Sequence, residues 1–156
     1  MLCSKCQDKL NSGAISKAYL DVAKKLISRE NYYPFLQNVT LENISETESY
    51  LVLIVNKGDL RKFENEPKST RELGNLFSKR ILVLEKGVKD RKFLEDLFAG
   101  QHIVTINIIW LPDGTTETRV VLRGRGSRKL SKKRIQDLVE VANEVKNMNL
   151  RVEYTF

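Results

Sequence analysis

An internal repeat constrains this chain more than any other feature of its sequence. A shift of 67 residues lays Leu53-Ile54-Val55 on Val120-Val121-Leu122, and Arg61-Lys62-Phe63 on Arg128-Lys129-Leu130. Both halves read helix, strand, strand, short turn, helix, strand. A repeat of that order within 156 residues points to two small cores of the same design.

In the first half, Ser16 is a good N-cap for a helix on which Ala18, Leu20, Val22, Ala23, Leu26 and Ile27 recur with helical spacing. Pro34 ends any continuation. Val39–Ile44 alternates as a strand, and the continuous apolar run Tyr50–Val55 suits a buried one. A short irregular or helical piece follows Gly58. Ser69–Phe77 reads as a helix with Leu73, Leu76 and Phe77 facing inward, and Ile81–Leu84 as a strand. Past the first half, Asp90 caps the opening helix of the second, through Phe98, with Phe93, Leu94, Leu97 and Phe98 as its apolar stripe.

In the second half, Ile103–Trp110 alternates as a strand. Pro112-Asp113-Gly114 is a turn, since proline presets φ and glycine accepts φ > 0. Arg119–Arg123 is the returning strand. Ser131 caps a helix to about Asn147, with Ile135, Leu138, Val139, Ala142 and Val145 on one face, and Arg151–Phe156 closes as a strand. The expected fold is α+β, with two small three-stranded sheets, each carrying helices on one face, joined near Gly87 to Asp90. The expected organisation is an N-terminal Cys-x-x-Cys segment at 1–15, a first module at 16–88 and a second at 89–156.

Lys and Arg number 27 against 20 Asp and Glu, a net charge of +7. A basic domain favours polyanionic partners. The charge is concentrated between Arg119 and Arg134, a stretch with eight basic residues and no acid. The longest apolar runs, Leu51–Val55 and Ile81–Leu84, fall far short of the roughly 20 residues that span a bilayer. The opening residues lack the apolar core of a signal peptide. A cytoplasmic, reducing setting is the expectation, with no membrane partner.

The order of helix, strand, strand, short helix, loop, helix, strand resembles a type II KH module. Two in tandem resemble the KH pair of NusA-type transcription factors, and the chain is similar to the small archaeal NusA-like KH proteins. The strings that carry the resemblance are LCSKCQDKLNSG at 2–13, LVLIVNKGDLRKF at 51–63, RELGNLFSKRILVLE at 71–85 and INIIWLPDGTTETRVV at 106–121. Members of that group tend to carry a cysteine motif, a helix and two KH modules. The resemblance implies RNA binding without enzymatic activity, in transcription elongation or termination or on the ribosome. RNA polymerase or the ribosome would be the larger partner.

The resemblance also implies a Gly-x-x-Gly loop that grips nucleic-acid backbone, with glycines allowing close approach and a helix N-terminus supplying amides. This chain departs from that pattern twice. The first loop is Glu64-Asn65-Glu66-Pro67, which lacks both glycines and sets two carboxylates where phosphates would lie. That loop is expected to be silent, with a structural role left to its module. The second loop is Ser131-Lys132-Lys133-Arg134, again without glycines but with three cations. Arg123, Arg125, Arg128 and Lys129 extend the basic surface upstream, with Gly124 and Gly126 loosening the approach. These seven residues, Arg123, Arg125, Arg128, Lys129, Lys132, Lys133 and Arg134, are the expected contacts to RNA phosphate. The alternative is a degenerate scaffold that docks through protein contacts, using the Glu64–Glu66 edge and the N-terminal helix.

Cys3 and Cys6 have the spacing of half a zinc site, whereas a structural zinc takes four ligands. No cysteine follows, and the single histidine, His102, is distant in sequence. No cofactor is expected, and two reduced thiols are the simpler reading. Asp59, Glu64 and Glu66 fit no calcium-loop spacing and read as a solvated turn. No phosphate-binding loop, nucleophile elbow or metalloprotease motif is present. Trp110 reads as covering the edge of the core, with stacking on a base as the alternative. Tyr19, Tyr32, Tyr33 and Tyr50 read as packing residues with exposed hydroxyls.

Overall fold

The six strands among the described residues form two sheets of three, in the orders β1-β2-β3 and β4-β5-β6. The structure is a computed structural model. It describes residues 17–28, 33–125 and 128–155, with side chains from Asp21 onward in the first helix. The chain divides into two compact units. One holds residues up to Glu46 together with Leu51–Gly87, and the other holds Thr47–Tyr50 together with Val88 onward.

In the first unit, helix α1 (Lys17–Ser28) turns Val22 and Leu26 inward. Pro34 opens a single 3-10 turn, Pro34–Asn38, which buries Leu36. Strands β1 (Leu41–Glu46) and β2 (Tyr50–Val55) pair antiparallel, with Ile44 opposite Leu53. All six residues of β2 are buried, as its unbroken apolar run requires. Helices α2 (Leu60–Glu64) and α3 (Pro67–Phe77) follow, and then strand β3 (Arg80–Glu85). Leu51, Leu53 and Val55, on one face of the sheet, form a single core with Val22, Leu26, Phe63, Leu73 and Val83. Phe35 meets Phe63 edge to face at 5.2 Å.

The turn from α3 into β3 is the tightest place in this unit. Ser78 adopts a left-handed conformation, φ 55°, and the Lys79 amide donates to the Gly74 carbonyl at 3.0 Å. A Cβ on Gly74 would lie 2.7 Å from the Lys79 carbonyl oxygen, so only glycine fits without displacement. Leu73 is buried as expected and Phe77 packs half-buried against the core, whereas Leu76, also expected to face inward, is 38% exposed.

In the second unit, helix α4 (Asp90–Leu97) buries Phe93, Leu94 and Leu97. Its N-cap is Lys89, in extended geometry, and the expected cap Asp90 is the first helical residue. Strands β4 (Ile103–Trp110) and β5 (Thr116–Arg123) pair antiparallel. At the turn between them, the Asp113 carboxylate accepts the Thr115 amide at 3.0 Å and its hydroxyl at 2.6 Å, while Gly114 takes φ 86°. Helix α5 (Lys132–Lys146) leads to β6 (Leu150–Thr155), which pairs parallel to β5. The returning strand thus starts three residues earlier than expected, at Thr116.

The two faces of the second sheet differ sharply. Val120, Leu122 and Leu150 lie on one face and are buried, as are Leu138, Val141 and Ala142 of α5. The other face carries ion pairs: Arg119 bonds Glu153 through Nε at 2.9 Å, and Arg151 reaches Glu153 at 3.2 Å and Glu117 at 3.6 Å.

The matched triplets of the repeat do not fold alike. Arg61-Lys62-Phe63 lies in α2, while residues 128–131 carry no helix.

Candidate nucleic-acid interface

The basic stretch leaves the second sheet at the C-terminal end of β5. The Gly124 amide donates to the Thr155 carbonyl at 2.8 Å, and the Arg123 amide donates to the His102 carbonyl at 2.9 Å. Arg123, at the strand end, and Arg125, just beyond, are exposed.

The chain is then pinned back onto β6. Gln101 donates Nε2 to the Arg128 carbonyl at 2.7 Å. The Leu130 amide donates to the Tyr154 hydroxyl at 2.9 Å, and that hydroxyl donates in turn to Gln101 Oε1 at 3.2 Å. The Lys129 ammonium stands 5.6 Å from the centre of the Tyr154 ring. Gln101 and Tyr154 therefore satisfy backbone groups that a non-helical segment would otherwise leave open.

Ser131 is the N-cap of α5, as its sequence position suggests. Its Oγ accepts the Arg134 amide at 3.3 Å, and its carbonyl accepts the Ile135 amide at 3.0 Å. The expected inward face of α5 is shifted: Leu138, Val141 and Ala142 are buried with Asp137, while Ile135, Val139 and Val145 are half-buried.

The three cations that open α5 have different surroundings. Lys133 pairs with Glu48 at 2.9 Å and with Asp137 at 3.4 Å. The Glu48 carboxylate raises the Lys133 pKa above its ordinary value against the cost of desolvation, with Asp137 adding to the effect. Arg134 donates Nε to the Tyr50 hydroxyl at 2.9 Å and lies over that ring at 5.5 Å. Tyr50 is thus a buried residue whose hydroxyl is bonded, in place of the exposed hydroxyl expected for it. Lys132 is exposed and makes no side-chain bond among the described residues, and the same holds for Arg125 and Arg128.

The structure therefore brings Arg123, Lys129 and the N-terminal turn of α5 to one end of the second unit, by way of the β5–β6 pairing and the Tyr154 contacts. It sorts five of the seven candidates by role. Arg125, Arg128 and Lys132 are open to a ligand, whereas Lys133 and Arg134 hold protein groups.

The corresponding loop of the first unit is closed on itself. The Asn65 amide donates to the Arg61 carbonyl and the Glu66 amide to that of Phe63, both at 3.0 Å, so neither amide is open to a phosphate. Glu64 and Glu66 are exposed. Asp59 departs from the solvated turn expected of it. It is buried, with its carboxylate accepting the Thr40 amide at 2.8 Å and pairing with Lys62 at 2.8 Å. The Lys62 hydrogen bond holds its pKa below the ordinary value despite burial.

Cys3 and Cys6 lie outside the described residues, as do Ser16, Tyr19's side chain, Tyr32 and Gly126. Among the described residues no cluster of His, Cys, Asp and Glu is placed to hold a metal ion. His102 is exposed, and its backbone carbonyl is used by the sheet. Trp110 is 76% exposed and covers no core. No described helix is long and apolar enough to cross a membrane.

Sequence reasoning missed Gln101, Tyr154 and Asp137. Each acts on a partner 24 to 88 residues away, a separation at which spacing carries no signal.

No family model and no curated protein matches the chain. Among solved structures it is similar to the crystal structure of APE1850, with a TM-score of 0.56 and 17% sequence identity, over 90% of this chain and 100% of that one. At that identity the likeness bears on the fold alone.

Proposed function

We propose that this protein binds RNA through its phosphate backbone, using the basic segment of the second unit, and that it acts without catalysis, as the resemblance to NusA-like KH proteins implies. The reading rests chiefly on the segment from Arg123 to Arg134. It holds no acid, Tyr154 and Gln101 fix its middle, and its exposed cations Arg125, Arg128 and Lys132 have no protein partner among the described residues. An unpaired cation held on a fixed backbone loses less freedom on meeting a phosphate than one on a loose arm. Affinity would come from phosphate contacts, with modest discrimination among sequences. RNA polymerase or the ribosome would be the setting in which such RNA is met.

Fluorescence anisotropy with a labelled single-stranded RNA tests the assignment. Arg128→Glu and Lys132→Glu are each expected to weaken binding severalfold or more. Lys57→Glu makes the same change in net charge at an exposed position of the first unit and is expected to leave affinity within twofold. Equal affinities for all four proteins would remove the site.

A further inference from the structure

The turn Thr47–Tyr50 belongs to the second unit and lies against the first turn of α5. It is closed by the Thr47 amide, which donates to the Tyr50 carbonyl at 2.9 Å, and by the Tyr50 amide, which donates to Thr47 Oγ1 at 3.0 Å. Two sheltered bonds fasten it to the helix. The Ser49 amide donates to Asp137 at 3.1 Å, and the Tyr50 hydroxyl accepts Arg134 Nε at 2.9 Å. Glu48 stands beside these anchors, and its carboxylate meets the Lys133 ammonium at 2.9 Å although 77% of its side chain is exposed. An ion pair that open adds little to stability. Its larger effect is on the charge that α5 presents.

Lys133 is thus held by two carboxylates, Glu48 and Asp137, and the three groups together carry a charge of −1. Asp137 is 1% exposed and bonded to Ser49, so it stays in place. A phosphate that approaches Lys133 meets net repulsion, whereas one at Lys132 meets an open cation. We infer that Glu48 is a tethered phosphate mimic, which closes a phosphate contact at Lys133 and lowers the affinity of the protein for RNA. The inference rests on the RNA reading above. It makes Lys133 a sixth contact, withheld, beyond Arg123, Arg125, Arg128, Lys129 and Lys132. Once the Glu48 charge is removed, Lys133 and Asp137 sum to zero. Asp137 still reaches the ammonium at 3.4 Å, and the Lys133 side chain, already 50% exposed, is open on the side that Glu48 covered.

Anisotropy with a labelled single-stranded RNA, on the full chain over a range of salt, tests this. Glu48→Gln is expected to raise affinity about threefold to tenfold near 0.1 M salt, the effect of removing one like charge a few ångströms from the strand and gaining one contact. Its slope of log affinity against log salt should steepen from about −3.5 to about −4.2, one more phosphate on a single strand. Glu64→Gln removes the same charge at an exposed position of the first unit and should leave affinity within twofold and the slope unchanged. Glu48→Gln combined with Lys133→Gln should return the slope to about −3.5. Should that double variant fail to fold, the slope of Glu48→Gln alone still decides. Native affinity and slope in Glu48→Gln, while Arg128→Glu weakens binding, would overturn the inference and leave the RNA reading standing. A gain in Glu48→Gln that survives the loss of Lys133 would overturn it as well. A native protein without salt-dependent RNA binding would overturn both, and marks the RNA reading as the one at fault.

Discussion

Asp137 accepts the Ser49 amide through Oδ2 at 3.1 Å while only 1% of its surface is exposed. A buried carboxylate is costly unless its oxygens are bonded, and here Ser49 and Lys133 both serve it. Burial pushes the Asp137 pKa up, but the Ser49 hydrogen bonds and the Lys133 ammonium outweigh burial and leave it below the ordinary value. Because the native fold favours the charged form, the stabilisation is complete above the unfolded value of about 3.9 and is lost as pH falls through the lower native value. Asp137→Ala should cost about 1–3 kcal/mol at neutral pH, by the usual penalty for orphaning hydrogen-bond partners of a charged group. Asp137→Asn should flatten the loss of stability below about pH 4. Urea unfolding followed from pH 2.5 to 7 checks both.

Tyr154→Phe removes one oxygen. The Leu130 amide and Gln101 lose their common partner, and the expected stability cost is about 1 kcal/mol. The local effect should exceed the global one. Hydrogen exchange at the Leu130 amide should accelerate at least tenfold, while amides of the buried β2 run stay protected. Unchanged exchange at Leu130 would show that Tyr154 does not hold the segment.

Gly74→Ala sets two effects against each other. Inside a helix the change ordinarily stabilises by about 0.5–1 kcal/mol. Here the added methyl would lie 2.7 Å from the Lys79 carbonyl oxygen, and backbone cannot step aside as a flexible side chain can. A net loss of about 1–3 kcal/mol is expected, the usual cost of forced overpacking. A thermal melt decides the sign.

Much of this fold was legible where a single segment settles the question. The uncharged apolar run Tyr50–Val55 is a fully buried strand, Ile103–Trp110 has the bounds that its alternation implies, and Ser131 caps α5. Legibility failed where a distant residue decides. Arg128-Lys129-Leu130 copies Arg61-Lys62-Phe63, yet only the first triplet is helical. In α2, Lys62 finds Asp59 three residues before it and Phe63 fills the core against Phe35. The sequence position matching Asp59 is Gly126, and Leu130 is smaller and half-buried, so neither anchor is repeated. Trp110 shows a second limit. Alternation places it on the side of Val120 and Leu122, but it does not say how far along the strand the cover extends. That face opens to solvent from Thr118 to Thr116. The cationic segment was legible as charge, whereas the engagement of Lys133 by Glu48 and of Arg134 by Tyr50 was not.

The salt dependence of RNA affinity tests the central claim most directly. With Arg123, Arg125, Arg128, Lys129 and Lys132 as the contacts, Lys133 and Arg134 being engaged by Glu48 and Tyr50, five neutralised phosphates on a single strand correspond to a slope of about −3.5 in log affinity against log salt. The chain with Arg125, Arg128 and Lys132 all changed to alanine should fall to about −1.4, since three of the five contacts are gone. A slope near zero in the native protein, or one that the triple variant leaves unchanged, would contradict the account.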